Sequence, residues 1–213
     1  MLPATKKLIN YNYSSRKGQK IEYIVIHDTG NTKRGAGSEA HFKYFNSGNR
    51  EASAHYFVDD NKILQLVEDY NSSWNCGDGR GKYGITNRNS IGVEICINED
   101  SDYEKAVRNT LNLVKYLMEK YNISIERVVR HFDASKKICP RSMSYSNWAK
   151  WYEFKESLME LSEEKFNKTL KILQKNGIIN SPNYWAENAK EGKFVKGEYA
   201  AILIKRVADY LIK

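Results

Sequence analysis

Hydrophobic positions along the chain alternate between short, nearly continuous runs and longer stretches with helical spacing. Residues 21–28 (IEYIVIHD) and 91–97 (IGVEICI) consist almost entirely of β-branched and other apolar side chains, which is typical of strands covered on both faces. Residues 54–58 and 63–67 flank a polar bend and predict a hairpin. The pattern therefore predicts several strands of a buried sheet.

Helical spacing occupies three stretches between and after these strands. Residues 38–45 and 101–121 have it, and the second stretch opens with the capping-box pattern Ser101-x-x-Glu104. Residues 147–161 carry regularly spaced aromatic side chains and predict a third helix. Strands and helices thus share the first three quarters of the chain, as in an α/β domain.

The end of the chain has a different character, because it predicts only helices. One helix is expected to start at Ser162 and to end at Asn176-Gly177, a short one follows Pro182, and a third follows Gly197. We therefore predict a first domain at residues 1–157, a linker at residues 158–162 and a small all-α module at residues 163–213.

Charge narrows the possible partners without choosing among them. The formal net charge is +8, which favours nucleic acid, an anionic membrane surface or the anionic polymers of a bacterial wall. The excess is spread along the chain and has no basic run with interleaved aromatics, so nucleic-acid binding rests on charge alone. No apolar run approaches the roughly 20 residues that span a bilayer, so we expect no membrane insertion.

The N-terminus and the cysteines bear on the cellular compartment. Polar residues rather than an apolar stretch follow Lys6-Lys7, so we expect no secretory signal. The sequence thus predicts synthesis in the cytoplasm. The chain has 3 cysteines, an odd number, and disulfides are therefore not expected. A cysteine is then free to serve as a metal ligand.

Candidate chemistry centres on residues 130–141 (RHFDASKKICPR), which hold His131, Lys137 and Cys139. Imidazole and thiolate are preferred ligands of Zn²⁺, and a catalytic zinc takes three protein ligands. A histidine also lies near a cysteine by chance in many chains, so the hypothesis depends on a third ligand elsewhere. His27 provides one, at the C-terminal end of a predicted strand, where ligand sites of α/β sheets form.

Two further residues complete the predicted constellation. Glu94 lies in the middle of an apolar strand, where a carboxylate without a partner is costly to bury. It is our candidate general base for a water polarised by zinc. Lys137 lies two positions before Cys139, so in an extended segment both side chains project to one side and the ammonium faces a developing oxyanion. The alternatives are a Glu94 paired with a buried cation and a Lys137 that is only a solvated loop charge.

These residues resemble a known family, the zinc-dependent N-acetylmuramoyl-L-alanine amidases found among phage lysozyme-like amidases, Bacillus prophage amidases and animal peptidoglycan recognition proteins. Four blocks match in order: IVIHDT (24–29), SAHYFV (53–58), SIGVEIC (90–96) and HFD (131–133) continuing through KICPR (137–141). The resemblance implies a mixed central sheet flanked by helices. It also implies one zinc ion on His27, His131 and Cys139, with Glu94 as general base and Lys137 stabilising the transition state.

The implied reaction is hydrolysis of the amide between N-acetylmuramic acid and L-alanine of the peptidoglycan stem peptide. The match has departures, since many relatives have histidine where this chain has Asn75, and some have tyrosine where it has Ala54. Residues 173–182 resemble the helical tails of clostridial phage and prophage lysins, which are thought to bind the wall. The resemblance thus implies an endolysin that acts on the wall after release and whose partners are peptidoglycan and its anionic polymers.

The remaining candidates concern the substrate groove. We expect His55 and Trp74 to bind substrate, although either could simply cover the sheet. His41 is expected at the surface, and Cys76 and Cys96 as small loop and core residues. Two other classes stay open: a non-catalytic peptidoglycan-binding protein, which would be expected to lack Cys139, and a basic nucleic-acid-binding protein, which would need no metal.

Overall fold

A computed structural model describes residues 2–190 and 192–212 of the chain. It contains eight strands: β1 (Ala4–Lys6), β2 (Tyr13–Ser15), β3 (Tyr23–Asp28), β4 (Tyr56–Val58), β5 (Ile63–Gln65), β6 (Asn71–Ser73), β7 (Ser90–Ile95) and β8 (Val128–Arg130). It contains six α-helices: α1 (Ser38–Phe45), α2 (Tyr103–Tyr121), α3 (His131–Ser135), α4 (Tyr145–Lys175), α5 (Pro182–Asn188) and α6 (Gly197–Leu211). Short 3-10 turns span Gly77–Gly79, Ile125–Arg127 and Arg141–Met143.

Six strands form one mixed sheet in the order β1-β5-β4-β7-β3-β8. Neighbouring strands are parallel except β4 and β5, which form the predicted antiparallel hairpin. The two apolar runs became the central strands β3 and β7, where Ile24, Val25, Ile91 and Val93 are completely buried. The predicted α/β class with a mixed central sheet flanked by helices is confirmed. β2 and β6 pair separately.

The register of the central strands places the predicted chemistry at one edge of the sheet. His27 on β3 is paired with Glu94 on β7, and Glu94 is paired in turn with Phe57 on β4. Residues paired across parallel strands project to the same face. β8 lies parallel on the other side of β3, with Ile26 opposite Arg130, so His131 follows directly at the same edge.

Helix α2 follows the predicted boundaries closely, but its N-terminal cap differs from the expectation. Asp102 is the cap, and its side chain accepts a hydrogen bond from the Lys105 N–H at 3.0 Å. The predicted capping box from Ser101 is therefore wrong by one position, because the aspartate is an equally good acceptor one residue closer to the helix. The buried face of α2 includes Leu113, Val114 and Leu117.

The sequence patterns predict the short strands β4 and β5 but not four other short strands. β1, β2 and β6 have only three residues each, and β1 and β2 are fully exposed. β8 is also three residues long and ends in an arginine, so it reads as a connection. Unlike β4 and β5, these strands do not lie within longer apolar runs on either side of a polar bend, so they give no periodic signal.

The chain divides into two compact units, residues 1–158 and 159–213. The sequence predicts a linker at residues 158–162 with separate helices on either side, whereas α4 continues through these residues. Residues 149–175 contain neither glycine nor proline, so nothing ends the helix there. The boundaries of the functional domains, at 157 and 163, stay a prediction.

The second unit has a small apolar core of its own. Leu170, Ile178 and Ile179 are buried, and Trp185 and Leu203 pack against them from α5 and α6. Across residues 2–190 and 192–212, no helix combines the length and hydrophobicity that a membrane crossing requires.

Candidate active site

Three elements bring the predicted metal ligands together. His27 is the second-to-last residue of β3, and His131 is the first residue of α3. Cys139 lies in the segment after α3, 112 residues from His27 in sequence. The ligand atoms of the three side chains lie within 4.8 Å of one another, and all three residues are buried. A backbone hydrogen bond holds the segment that contains Cys139, because the Phe132 N–H donates to the Cys139 carbonyl at 3.1 Å.

The geometry of this cluster fits a tetrahedral zinc ion. The Cys139 Sγ and His27 Nδ1 atoms are 3.7 Å apart. Two such ligands on one tetrahedral zinc are separated by about 3.6 Å, given usual bond lengths near 2.3 Å for sulfur and 2.0–2.1 Å for nitrogen. The donor set of two imidazoles and one thiol is also one that zinc prefers, and it leaves a fourth position for water or substrate.

Burial favours the neutral forms of all three side chains. It lowers the pKa of His27 well below its usual range, and it lowers the pKa of His131 as well. A neutral imidazole is the form that binds a metal. Burial also raises the pKa of the Cys139 thiol to about 12. A thiolate at this position therefore needs a bound cation beside it.

The outer nitrogen of each imidazole contacts the loop that precedes β7. His131 Nε2 lies 2.7 Å from Asp78 Oδ1, and His27 Nε2 lies 3.4 Å from Asn75 Oδ1. The sequence marks Asn75 as a departure from related proteins, but it does not single out Asp78. The one available signal was the density of glycines around Asp78, which does not say which side chain the turn presents.

Glu94 is partly buried at the same edge of the sheet. Its Oε2 atom has no hydrogen-bond partner among the described residues. Burial raises the pKa of Glu94 well above its usual range, the nearby Asp28 carboxylate raises it further, and the charge of Lys137 opposes both effects. A carboxyl group in this environment holds a proton more readily than an exposed one, as a group that takes and returns a proton must.

A cavity of about 610 Å³ opens over these residues. His27, Glu94, His131, Lys137 and Cys139 all line it, so the structure brings the five predicted residues to one space. Trp74 lines it too, and its role in substrate binding stays a prediction. Other lining residues are Phe45, Ser53, Ile138, Arg141 and Tyr145.

The structure does not bring His55 to this cavity, which corrects the expectation that it binds substrate. The residue is completely buried. Its Nδ1 lies 3.0 Å from the Gly92 N–H and 2.8 Å from Ser73 Oγ. Its Nε2 lies 3.1 Å from the Asn71 carbonyl and 2.9 Å from Arg16. Both ring nitrogens are therefore engaged inside the protein.

His41 also differs from the expectation, because it is partly buried rather than at the surface. Its ring stacks on Phe57 with centroids 5.1 Å apart, and burial lowers its pKa. Cys76 and Cys96 are buried and free, in agreement with their expected roles as small loop and core residues.

Comparison with known proteins identifies relatives of the first unit. CwlH of Bacillus subtilis (strain 168) is 39% identical over 145 residues, which are 67% of this chain and 57% of that protein. XlyA of the same strain is 43% identical over 121 residues, 57% of this chain and 40% of that protein. Both are N-acetylmuramoyl-L-alanine amidases. A solved structure of a mutant endolysin from Bacillus subtilis is 38% identical with a TM-score of 0.67, covering 74% of this chain and 99% of that one.

The chain spans about half the length of the curated relatives it matches. The sequence signature of the N-acetylmuramoyl-L-alanine amidases matches residues 17–142, which is more than half of the chain. The matched region contains the clustered residues His27, His131 and Cys139, as well as Glu94 and Lys137, which line the cavity. With this match and this geometry together, the chain belongs to the N-acetylmuramoyl-L-alanine amidase family.

Proposed function

We propose that this protein hydrolyses peptidoglycan at the amide bond between N-acetylmuramic acid and L-alanine of the stem peptide. The observation that carries the proposal is the buried cluster of His27, His131 and Cys139, which opens on one cavity together with Glu94 and Lys137. Family membership and the names of the relatives support the same reaction. A protein that only binds peptidoglycan would not need this complete set of groups.

His27, His131 and Cys139 would hold one zinc ion. A zinc ion there supplies a Lewis acid that polarises the scissile carbonyl and lowers the pKa of water. Glu94 accepts the proton of the attacking water and passes it to the departing amine of L-alanine. This cycle needs a carboxyl group with a raised pKa, and burial provides one.

Lys137 stabilises the oxyanion of the tetrahedral intermediate. Its side chain lines the cavity and, within the described part of the chain, forms no ion pair. Its charge acts on Glu94, on both histidines and on Cys139, lowering the pKa of each, and Lys137 lines the same cavity as these residues. A fixed positive donor beside the reacting carbonyl is the group that amide hydrolysis requires.

The biological setting follows from the reaction and the charge. We propose an endolysin that reaches the wall after release, with peptidoglycan and its anionic polymers as partners and a clostridial phage or prophage as its source. The net charge of +8 favours adsorption to such polymers. Trp74 would contact the glycan or stem peptide, and residues 163–213 would bind the wall.

Purified protein incubated with peptidoglycan tests the reaction. The expected products are new N-terminal L-alanine groups, lost when a chelator removes the metal and restored by added zinc. Glu94→Gln is expected to lower the rate by roughly 100-fold or more, whereas Glu99→Gln, at an exposed glutamate, leaves it unchanged. New reducing sugar ends, or full activity in chelator, would overturn the proposal.

A further inference from the structure

We propose that Asp78 is a positioning residue that orients His131 for metal binding, and that the support loop, residues 74–89, is built to present it. The inference rests on the zinc centre proposed above. It concerns the residues behind the ligands rather than the ligands themselves. Outer partners of ligand histidines fix the ring orientation and the tautomer, and their loss typically weakens metal binding by roughly 10–100-fold.

The contact between Asp78 and His131 fixes the tautomer of the imidazole. A carboxylate only accepts hydrogen bonds, so across the 2.7 Å contact the His131 Nε2 must carry the proton. The unprotonated Nδ1 is then left for the metal. The second carboxylate oxygen accepts a bond from Ser135 Oγ at 3.2 Å, which keeps the carboxylate from rotating away.

The ring of His131 is also held relative to the first ligand. Its centroid lies 4.7 Å from that of His27, with the ring planes at 63°. Partial burial raises the pKa of Asp78, but the hydrogen bonds from His131 and Ser135, together with the nearby positive charge, lower it below its usual value.

Two glycines allow the support loop to approach the ligands. Asp78 lies between Gly77 and Gly79 in a 3-10 turn. A Cβ atom added to Gly79 would lie 2.1 Å from the Ala134 carbonyl oxygen of α3, so no other residue permits this approach. A Cβ added to Gly92 of β7 would lie 2.8 Å from the Asn75 side chain. Both glycines are therefore needed for close packing, because a side chain at either position would collide with the neighbouring segment.

Asn87 fixes the start of the support loop. Its Oδ1 atom accepts hydrogen bonds from the backbone N–H of Asn75 at 3.0 Å and of Cys76 at 2.7 Å. Asn75 itself donates through Nδ2 to Ser73 Oγ at 3.1 Å, which turns its Oδ1 toward His27. That contact is longer, 3.4 Å, and uncharged. The two ligand histidines are thus supported unequally, and His131 depends more on the loop.

The test measures zinc affinity by competition with a chelator of known strength, independently of hydrolysis. We expect Asp78→Asn to bind zinc roughly 10–100-fold more weakly than the unaltered protein. Gly79→Ala should weaken binding in the same direction, because it pushes the turn away from α3 without removing a polar group. Asp209→Asn, at an exposed aspartate of α6, is the matched control and should bind zinc normally.

A spectroscopic signature separates positioning from a general loss of structure. In ¹⁵N spectra of the zinc-loaded protein, the protonated Nε2 of His131 should lose its strong hydrogen-bond shift in Asp78→Asn while the thermal melting point of the metal-free protein is retained. Unchanged affinity and an unchanged His131 signal in Asp78→Asn would overturn the inference. If the unaltered protein binds no zinc at all, the proposed metal centre itself fails.

Discussion

Protonation of His55 should destabilise this protein as the pH falls, and the structure gives the size of the effect. Burial, reinforced by the Arg16 guanidinium, lowers the pKa of His55 from 6.5 to about 3. Its Nδ1 accepts the Gly92 N–H, so a proton added there would face another donor. The unfolded chain has no such restriction and binds the proton at the ordinary pKa.

The sign follows from which state binds more protons. Between pH 6.5 and pH 3 the unfolded state is protonated at His55 and the folded state is not, so stability is complete above pH 6.5 and is lost progressively below it. Each pH unit in this window costs about 1.4 kcal/mol. The free energy of unfolding should therefore fall by about 2 kcal/mol between pH 7 and pH 5 from His55 alone.

Equilibrium urea unfolding between pH 5 and pH 7, followed by tryptophan fluorescence in the presence of chelator, measures this loss. His55→Asn is the comparison, since its side-chain oxygen replaces Nδ1 as acceptor but does not titrate. The other histidines are present in both proteins, so their contributions cancel in the difference. Between pH 5 and pH 6.5 the wild-type protein should take up about one more proton on unfolding than His55→Asn does. The free energy of unfolding of the variant should therefore depend less steeply on pH. Parallel stability curves for the two proteins would refute the reasoning.

The same variant separates a structural role from a role in substrate binding. Because His55 is buried away from the cavity, KM for peptidoglycan at pH 7 should not change in His55→Asn, whereas a residue that contacts substrate would raise it.

Two further substitutions test other parts of the structure. In the L-alanine release assay, Lys137→Met should lower kcat by roughly 100-fold or more through loss of the oxyanion donor. The control is Lys136→Met, which should stay close to wild type because the Lys136 ammonium lies over the Tyr83 and Phe132 rings. Equal losses in both variants would mean that only the general charge matters. Arg16→Met should lower the free energy of unfolding by roughly 3–5 kcal/mol in urea titrations. The reason is that the buried guanidinium donates to the carbonyls of Asp69, Arg88 and Ser90 at 2.5–2.8 Å. A loss below about 1 kcal/mol would show that water replaces the guanidinium.

The sequence predicts those elements in which many positions repeat the same environment. β3 and β7 are covered on both faces and α2 has a long amphipathic face, so each residue adds to the signal. β1 and β8 contribute three residues each, and their pairing depends on neighbours distant in the chain. The continuity of α4 was missed because Ser162 looks like a cap when only the local sequence is considered.

For the candidate site, the type and order of the residues allowed us to predict the proposed ligands and the proposed base. The residues that contact them in the folded protein could not be predicted in this way. His27, Glu94 and Cys139 are conspicuous because zinc ligands and buried carboxylates are chemically restricted. Asp78 is one of many acidic loop residues, and its contact with His131 exists only because Gly79 lets a turn touch α3. The alternation of residues along the strand predicts the face of the sheet on which His55 lies. It does not predict that the Arg16 side chain contacts His55 there.

The pairing of His27 with Glu94 has a consequence for how such an enzyme diversifies. The proposed metal ligand and the proposed proton acceptor lie on adjacent parallel strands, so the spacing between strands, about 4.8 Å, sets their separation, rather than any loop. Insertions in the loops around the cavity can therefore change the shape of the cavity while these two side chains keep their separation. A one-residue slip between the two strands, in contrast, would turn one of the two side chains to the opposite face of the sheet and abolish the proposed reaction.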